Sequence, residues 1–240
     1  MSDAEYDGYK AWKSWDAKSF ATCDGESAAY FAKEMAASGV TLASHTKTVE
    51  IGFGNAAFAA WAVAQGADYT GLEAIAELVE LGRSRGLNAH FSDKRLTELF
   101  ATDSVDSFVA FDVFEHIGVA ELRTMLADAL VCLKPGGLVV ARMPSGDSPF
   151  SRAIQHGDIT HKTVLGSSAI RQIAQAEGFR VLTIRAPAFP IMGGGFGSIL
   201  RRSAVAMGRA LIYPLVTRVL MGGGEPVLSP NILCVLQKPS

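Results

Sequence analysis

The alternation of two kinds of segment between residues 48 and 143 constrains the fold more than any other feature of this sequence. Short apolar runs, typical of buried strands, alternate with longer segments of helical pattern, and the connections are short. Strands are predicted at 48–51, 68–72, 88–91, 105–111 and 138–143, and helices at 56–65, 76–85 and 121–133. This order builds βαβ units around a parallel sheet.

The pattern changes after residue 144. A loop over 144–162 precedes a predicted helix at 167–177 and a strand at 180–186, and a last strand covers 232–237. We interpret the 240 residues as one domain. Its predicted parts are a helical cap at 1–45 that includes Tyr9, Trp12 and Trp15, a core at 46–186 and 231–240, and an insertion or lid at 187–230.

Composition excludes several classes of protein. Apolar residues make up 49% and charged residues 19%, which argues against a disordered chain, and a net charge of −2 gives no support for nucleic-acid binding. Cys23, Cys132 and Cys234 lie far apart without a CxxC pair, so we expect neither a disulfide framework nor structural zinc, and a reducing cytosol is favoured. The polar N-terminus does not resemble a signal peptide, and without an uncharged apolar run of eighteen residues we expect no membrane span.

The predicted strand ends carry a glycine turn and three acidic residues. Gly52-Phe53-Gly54 follows the first strand, where glycine lets a ligand approach the backbone and the next helix offers N–H donors. Glu73 ends the second strand and can accept hydrogen bonds from ribose hydroxyls or cap a helix. Asp93 can accept from a base amine or close a turn, and Asp112 can bind a ligand amino group or shape its loop. Ligands bind at such strand ends in parallel sheets.

Glu50 is unusual because it lies within the first strand, two residues before Gly52. A carboxylate near a buried strand end is costly unless it is paired. A ligand cation or a ring of backbone N–H groups would be a natural partner.

Taken together, these segments resemble the class I S-adenosylmethionine-dependent methyltransferases over about residues 45–186 and the final strand. The matching strings are Val49-Glu50-Ile51-Gly52-Phe53-Gly54-Asn55-Ala56, with Ala56 where a third glycine is usual, Ser92-Asp93 followed by Leu96, Asp112-Val113-Phe114-Glu115-His116, and Leu133-Lys134-Pro135-Gly136-Gly137. The resemblance implies a Rossmann-like, doubly wound, seven-stranded α/β sheet, mostly parallel with an antiparallel last strand. It also implies S-adenosylmethionine as the cofactor, held by Glu50, Gly52, Phe53, Gly54, Glu73, Asp93 and Asp112.

Two alternatives remain at this point. An NAD(P)-dependent Rossmann oxidoreductase also fits Gly52-x-Gly54-x-x-Ala57 and Glu73, although Glu50 would repel a pyrophosphate and the later strings would have no role. The other alternative is a catalytically silent binding module of the methyltransferase fold, against which the histidines argue.

The histidines are candidates for acceptor chemistry. If the acceptor is a hydroxyl, a base helps to remove its proton. His161 or His156, tuned by Asp158, can be that base, or the loop containing them can be held by internal hydrogen bonds. His116 can act as a base or shape the pocket. We expect no metal, because the His-x-Asp spacing in this loop is very short.

Three strings also resemble methyltransferases of bacterial surface-glycan and related sugar pathways: Tyr9-Lys10-Ala11-Trp12-Lys13-Ser14-Trp15, Glu50-Ile51-Gly52-Phe53-Gly54-Asn55 and Gly157-Asp158-Ile159-Thr160-His161. This narrower resemblance implies O-methylation of a sugar hydroxyl, on a small-molecule or glycan acceptor. Acceptor choice depends on loops, which vary among proteins of one fold.

Segment 196–220 mixes apolar residues with Arg201, Arg202, Arg209 and Arg218, and Pro214 is expected to break its helix. A basic amphipathic helix is typical of peripheral contact with an anionic membrane, here the inner face of the cell membrane. The alternatives are a lid and an oligomer contact, and the oligomeric state stays open.

Overall fold

The computed structural model describes residues 13, 18–192, 194–221 and 226–240 and is built around a seven-stranded sheet of order β3-β2-β1-β4-β5-β7-β6. The strands are β1 Lys47–Ile51, β2 Asp68–Glu73, β3 Ala89–Phe91, β4 Val105–Phe111, β5 Leu133–Pro144, β6 Arg180–Arg185 and β7 Asn231–Gln237. Pairing is parallel from β3 through β5, whereas β7 runs antiparallel to both β5 and β6. The predicted mostly parallel sheet with an antiparallel last strand is confirmed.

The α-helices are α1 Gly25–Ser38, α2 Ala57–Ala64, α3 Ala76–Ser84, α4 Leu96–Leu99, α5 Val119–Cys132, α6 Arg152–Gln155, α7 Ser167–Ala176 and α8 Phe196–Leu220, and short 3₁₀ turns cover Phe114–His116 and Pro149–Ser151. Most predicted bounds agree with these to within one or two residues. Segment 144–162 was predicted as a loop, but it contains the second 3₁₀ turn and α6.

Both faces of the sheet are covered by helices. Along β7, Ile232, Cys234 and Leu236 belong to one apolar cluster, to which α5 and α7 contribute. The alternate residues Leu233 and Val235 belong to a second cluster with α1, α2 and α3. Because successive side chains of a strand point to opposite faces, this division places helices on both sides, as the doubly wound prediction requires.

Strand β5 begins five residues earlier than predicted. The segment Lys134-Pro135-Gly136-Gly137 was expected to be a turn before the strand, but Val105 of β4 already pairs with Leu133. The register then shifts before Ser107 pairs with Leu138. Segment 134–137 is therefore an irregularity within β5, because the residues on either side of it, Leu133 and Leu138, both pair with β4.

The N-terminal cap is partly described. Helix α1 begins after Asp24, whose side chain accepts from the N–H of Ser27, and ends at Gly39 in a left-handed conformation. Tyr30 and Phe31 of α1 pack against the Phe111 ring at the end of β4, with ring centroids 6.0 and 5.5 Å away. Tyr9, Trp12 and Trp15, which were predicted to pack on the core, lie outside the described residues.

Helix α8 continues through Pro214, so the predicted break there is wrong. Proline leaves the carbonyl four residues earlier, that of Ala210, without its helical donor. Ala210 is exposed, so water can satisfy that carbonyl and the helix is retained. In the described part of the chain, α8 alone is long and apolar enough to cross a membrane by length and composition, with a mean hydropathy of 1.2 over 18 consecutive residues.

Candidate functional site

A cavity of about 910 Å³ lies at the carboxyl ends of β1, β2 and β4. The sheet brings to its walls every residue predicted to bind the cofactor, namely Glu50, Gly52, Phe53, Gly54, Glu73, Asp93 and Asp112. Of the four predicted catalytic residues, His116 lines the cavity. The site is therefore formed where parallel strands end, as expected from the strand order.

The glycine turn after β1 has a conformation that side chains rarely adopt. Gly52 and Gly54 have φ values of +69° and +50°, and a Cβ on Gly52 would lie 2.6 Å from Cγ2 of Val113. Ala56, at the position of the third glycine, also has a positive φ of +59° and is fully buried. A left-handed backbone conformation at an alanine costs about 1 kcal/mol. The turn keeps this conformation at Ala56 despite the cost, although its sequence departs from glycine there.

Glu73 accepts three backbone hydrogen bonds at the floor of the cavity. Its Oε2 accepts from the N–H of Gly54 at 2.9 Å, and its Oε1 accepts from the N–H groups of Ala74 at 2.7 Å and Ile75 at 3.1 Å. Burial raises the pKa of Glu73, while these bonds act in the opposite direction. A carboxylate has about four acceptor positions, so Glu73 can fix the turn and the approach to α3 and still accept a bond from a ligand.

Glu50 is buried beside Glu73, and its Oε2 accepts a hydrogen bond from the Tyr69 hydroxyl at 2.6 Å. Burial raises the pKa of Glu50 to about 8, and the neighbouring Glu73 adds to this. Its observed partner is thus a neutral hydroxyl rather than the predicted ring of backbone N–H groups. A cation in the cavity would favour the ionised carboxylate.

Asp112 faces an arginine that the sequence analysis missed. Its carboxylate accepts two hydrogen bonds from the Arg142 guanidinium, including one at 3.0 Å from Nε. The same guanidinium lies 5.2 Å from the ring centroids of Tyr30 and Phe111, and all four residues line the cavity. Asp112 has a positive φ of +58°, so it shapes its loop while it is paired. Arg142 lies near the carboxyl end of β5. The acidic residues were selected because they lie at the carboxyl ends of predicted strands, and the same criterion applied to basic residues would have selected Arg142.

Asp93, like Asp112, is exposed, whereas Glu50 and Glu73 are buried. Asp93 lies in the turn after β3 and borders the cavity. This position is compatible with both predicted alternatives, contact with a base amine and closure of a turn.

The turn after β4 and the loop after β5 meet at the histidines. Thr160 Oγ1 donates to Asp158 Oδ1 at 2.6 Å, so it accepts at 2.9 Å from the Nδ1–H of His116. His116 is buried, and burial lowers its pKa to about 4. Its ring packs edge-on against that of His161, with centroids 4.7 Å apart. These contacts fix the His116 tautomer with its lone pair on Nε2.

His161 and His156 lie elsewhere in this arrangement. The Nδ1 of His161 bonds to the carbonyl of Gln155 at 2.9 Å, and His161 does not border the cavity. His156 is exposed at the end of α6, also away from the cavity. Burial opposes ionisation of Asp158, but bonds from Thr160 hold its pKa below the ordinary value, and Lys13 Nζ lies 3.4 Å from Oδ2. The loop therefore combines internal hydrogen bonds with support for His116.

Glu115 is a second residue that the sequence analysis did not assign. It is buried, and its Oε2 has no hydrogen-bond partner in the described part of the chain. Its ligand atom and those of His116 and His161 lie within 4.8 Å of one another, the spacing of a group that can hold a metal ion. The expectation of no metal stays a prediction. No sequence spacing joins Glu115 to His161, because the contact depends on how two loops pack.

Comparison with known families agrees with the fold. Residues 49–141 match the family model described as a methyltransferase domain. This segment contains the glycine turn, the acidic strand ends and His116. A search of the curated proteins finds no match to the chain.

Solved methyltransferases share the architecture at low sequence identity. An S-adenosylmethionine-dependent methyltransferase from Archaeoglobus fulgidus is 17% identical with a TM-score of 0.60, over 82% of this chain and 88% of that one. A putative sarcosine dimethylglycine methyltransferase from Galdieria sulphuraria is 16% identical with a TM-score of 0.60, over 99% of both chains. A phosphoethanolamine N-methyltransferase from Haemonchus contortus, solved with S-adenosyl-L-methionine, is 17% identical with a TM-score of 0.52, over 83% of this chain and 50% of that one. At this identity the likeness shows the fold.

The dehydrogenase alternative finds no support among these matches. Residues 49–141 thus match a methyltransferase domain, and the chain has the fold shared by the solved S-adenosylmethionine-dependent methyltransferases, with acidic strand ends around one cavity.

Proposed function

We propose that the protein transfers the methyl group of S-adenosylmethionine to a hydroxyl oxygen of a small-molecule or glycan acceptor. The observation that carries this proposal is the His116 imidazole at the cavity wall, with Nδ1 held through Thr160 by Asp158. A hydroxyl must lose its proton during methylation, and an oriented imidazole is suited to accept it.

The residues at the strand ends fit the cofactor. Glu73 retains acceptor capacity for a ribose hydroxyl, and the buried Glu50 carboxyl would be stabilised as an anion by a positively charged group. The positive φ of Gly52 and Gly54 brings backbone close to the cavity without side chains. When bound, S-adenosylmethionine supplies a methyl group attached to a positively charged sulfonium, and the leaving group is a neutral thioether.

The remaining chemistry belongs to the acceptor side. His116 Nε2 would take the proton that the acceptor hydroxyl loses when it receives the methyl group. The charge that appears on the imidazole is stabilised through Thr160 by Asp158, in the way a carboxylate supports the histidine of a catalytic triad. His161 is a positioning residue, because it packs on the His116 ring without bordering the cavity.

The acceptor class can be tested with methyl-labelled S-adenosylmethionine. The protein is incubated with matched pairs of sugars, one with a free hydroxyl and the other with an amine at the same position, and with cell extract. We expect label in methyl ethers. Label confined to amines or carbon would contradict the proposal, and S-adenosylmethionine binding without label in any product would favour the silent binding module.

A further inference from the structure

Helix α8 presents an extended apolar face that the rest of the described chain leaves uncovered. None of its 25 residues is buried against the described residues. Six of the nine exposed large apolar residues of α8 recur mostly at four-residue steps and form the α8 face: Phe196, Leu200, Met207, Leu211, Leu215 and Val219. Their exposed fractions run from 62% for Leu200 to 82% for Phe196. Single exposed apolar residues are ordinary, but a stripe of this length indicates a contact surface.

The opposite side of α8 is attached to the protein. The Arg202 guanidinium pairs with Glu26 of α1, and Ser198 Oγ donates to Glu26 Oε1 at 2.8 Å. The Arg209 guanidinium lies 4.9 Å from the Phe189 ring centroid. Because Arg202, Glu26 and Phe189 also border the cavity, the first turns of α8 lie beside its wall. The α8 face therefore points away from the protein next to the substrate cavity.

The fold argues against α8 as a membrane span, although its length and composition would allow one. The strands before and after it, β6 and β7, pair with each other, and β7 lies between β5 and β6 within the sheet. A spanning α8 would need residues 221–230 to return through the bilayer so that β7 could rejoin the sheet. Ten residues are too few for a spanning helix, which needs about twenty, and an extended strand in lipid leaves its backbone groups unsatisfied, so such a return is strongly disfavoured.

Charge indicates what covers the α8 face. Segment 196–220 contains four arginines and no acidic residue, whereas the whole chain has a net charge of −2. Arg201 and Arg218 are exposed near the two ends of the helix, and Arg202 and Arg209 contact the protein. An apolar stripe with arginines at both ends matches a surface of hydrocarbon bordered by anionic headgroups.

We propose that the α8 face docks on an anionic phospholipid membrane, with the helix lying in the plane of the interface and the cavity opening beside it. The enzyme would thereby reach acceptors held at the membrane. The docking itself does not depend on which acceptor is methylated.

Vesicle sedimentation tests this proposal without any methyl acceptor. The full chain is mixed with vesicles of phosphatidylcholine alone or with one-third phosphatidylglycerol. We expect at least tenfold more protein in the pellet with the anionic vesicles, and less at high salt. The double substitution Leu211→Asp and Leu215→Asp should abolish the difference. A matched control, Val63→Asp and Val131→Asp, changes two exposed valines on other helices and should sediment like the wild type.

A second measurement uses the unmodified protein. Trypsin cleaves after exposed arginines, so anionic vesicles should slow cleavage at Arg201 and Arg218 at least fivefold and leave cleavage at Arg180 unchanged. Equal pellets with both vesicle types, together with unchanged cleavage, would overturn membrane docking. A wild-type dimer that becomes a monomer in the α8 double variant, without vesicle binding, would assign the face to a second copy of the chain. Binding of S-adenosylmethionine by the variants shows that they are folded. A wild-type protein that does not bind S-adenosylmethionine would contradict the proposed function and leave the membrane-docking proposal unaffected.

Discussion

The Tyr69 hydroxyl donates a hydrogen bond of 2.6 Å to Glu50 Oε2 at the floor of the cavity. Both residues are buried, and burial raises the pKa of Glu50 from its ordinary value of 4.5 to about 8. The carboxyl therefore keeps its proton at neutral pH until a cation enters the cavity.

The first prediction concerns stability. Unfolded Glu50 ionises near pH 4.5 and folded Glu50 near pH 8, so the native state holds the extra proton and stability falls as pH rises through this window. Glu50→Gln removes the titrating group and keeps an acceptor for Tyr69. We expect this variant to be more stable than the wild type above pH 8 by up to about 5 kcal/mol, with little difference at pH 4.5. Urea unfolding at both pH values measures the difference, and equal curves for the two proteins at pH 8.5 would show that Glu50 ionises without cost.

The second prediction concerns cofactor binding. A positively charged ligand favours the ionised carboxylate, so S-adenosylmethionine should bind the wild type more tightly as pH rises from 6 to 8 and should release a proton when it binds at pH 7. Titration calorimetry in buffers of different ionisation enthalpy detects that proton. In Glu50→Gln both the proton release and this pH dependence should disappear. Proton release that persists in the variant would assign it to another group.

Glu73 is expected to stabilise the backbone of the cavity floor and to bind the cofactor. Glu73→Ala leaves the N–H groups of Gly54, Ala74 and Ile75 without their acceptor and removes the ribose acceptor. We expect cofactor binding to weaken by about 1–3 kcal/mol, with a loss of stability of similar size. Calorimetry and thermal unfolding measure the two effects. Glu80→Ala, which removes an exposed carboxylate paired with Arg83, is the control, and wild-type affinity in Glu73→Ala would remove Glu73 from the site.

Gly52 tests the need for a left-handed turn. A Cβ on Gly52 meets Val113 at 2.6 Å, and φ of +69° is unfavourable for alanine, so Gly52→Ala should destabilise the protein by about 1–3 kcal/mol and weaken cofactor binding. Gly208→Ala is the matched control. Gly208 lies within α8, where an added Cβ meets no atom within 4 Å, and alanine there should raise stability by up to about 1 kcal/mol. If the melting temperatures of Gly52→Ala and Gly208→Ala shift in the same direction from that of the wild type, the left-handed turn is not what makes Gly52 necessary.

His116 is expected to affect turnover rather than cofactor affinity. His116→Asn should lower kcat by about 10²–10⁴-fold, because the proton acceptor at the cavity wall is lost. His161→Ala should lower kcat less, since His161 supports the His116 ring from outside the cavity. His156→Asn, at an exposed position on the same loop, serves as the control. Full activity of His116→Asn with a hydroxyl acceptor would exclude His116 as the base.

Much of the fold follows from local pattern. The alternation of strands and helices predicted the parallel sheet, because each segment must bury an apolar face of defined period. Gly52, Glu73 and Asp93 were placed at one site because the carboxyl ends of parallel strands meet at one edge.

Tertiary structure decided which side chains meet. Asp112 pairs with Arg142, thirty residues later, and Thr160 reaches His116 across 44 residues of sequence. Local pattern does not encode such partners, since they depend on how loops from different strands pack. Glu115 Oε2 has no hydrogen-bond partner in the described chain, and the apolar face of α8 is left uncovered by the described residues, for the same reason. Sequence determined the elements and the edge at which chemistry occurs, while packing determined which groups are paired, buried or exposed, because those properties depend on neighbours that are distant along the chain.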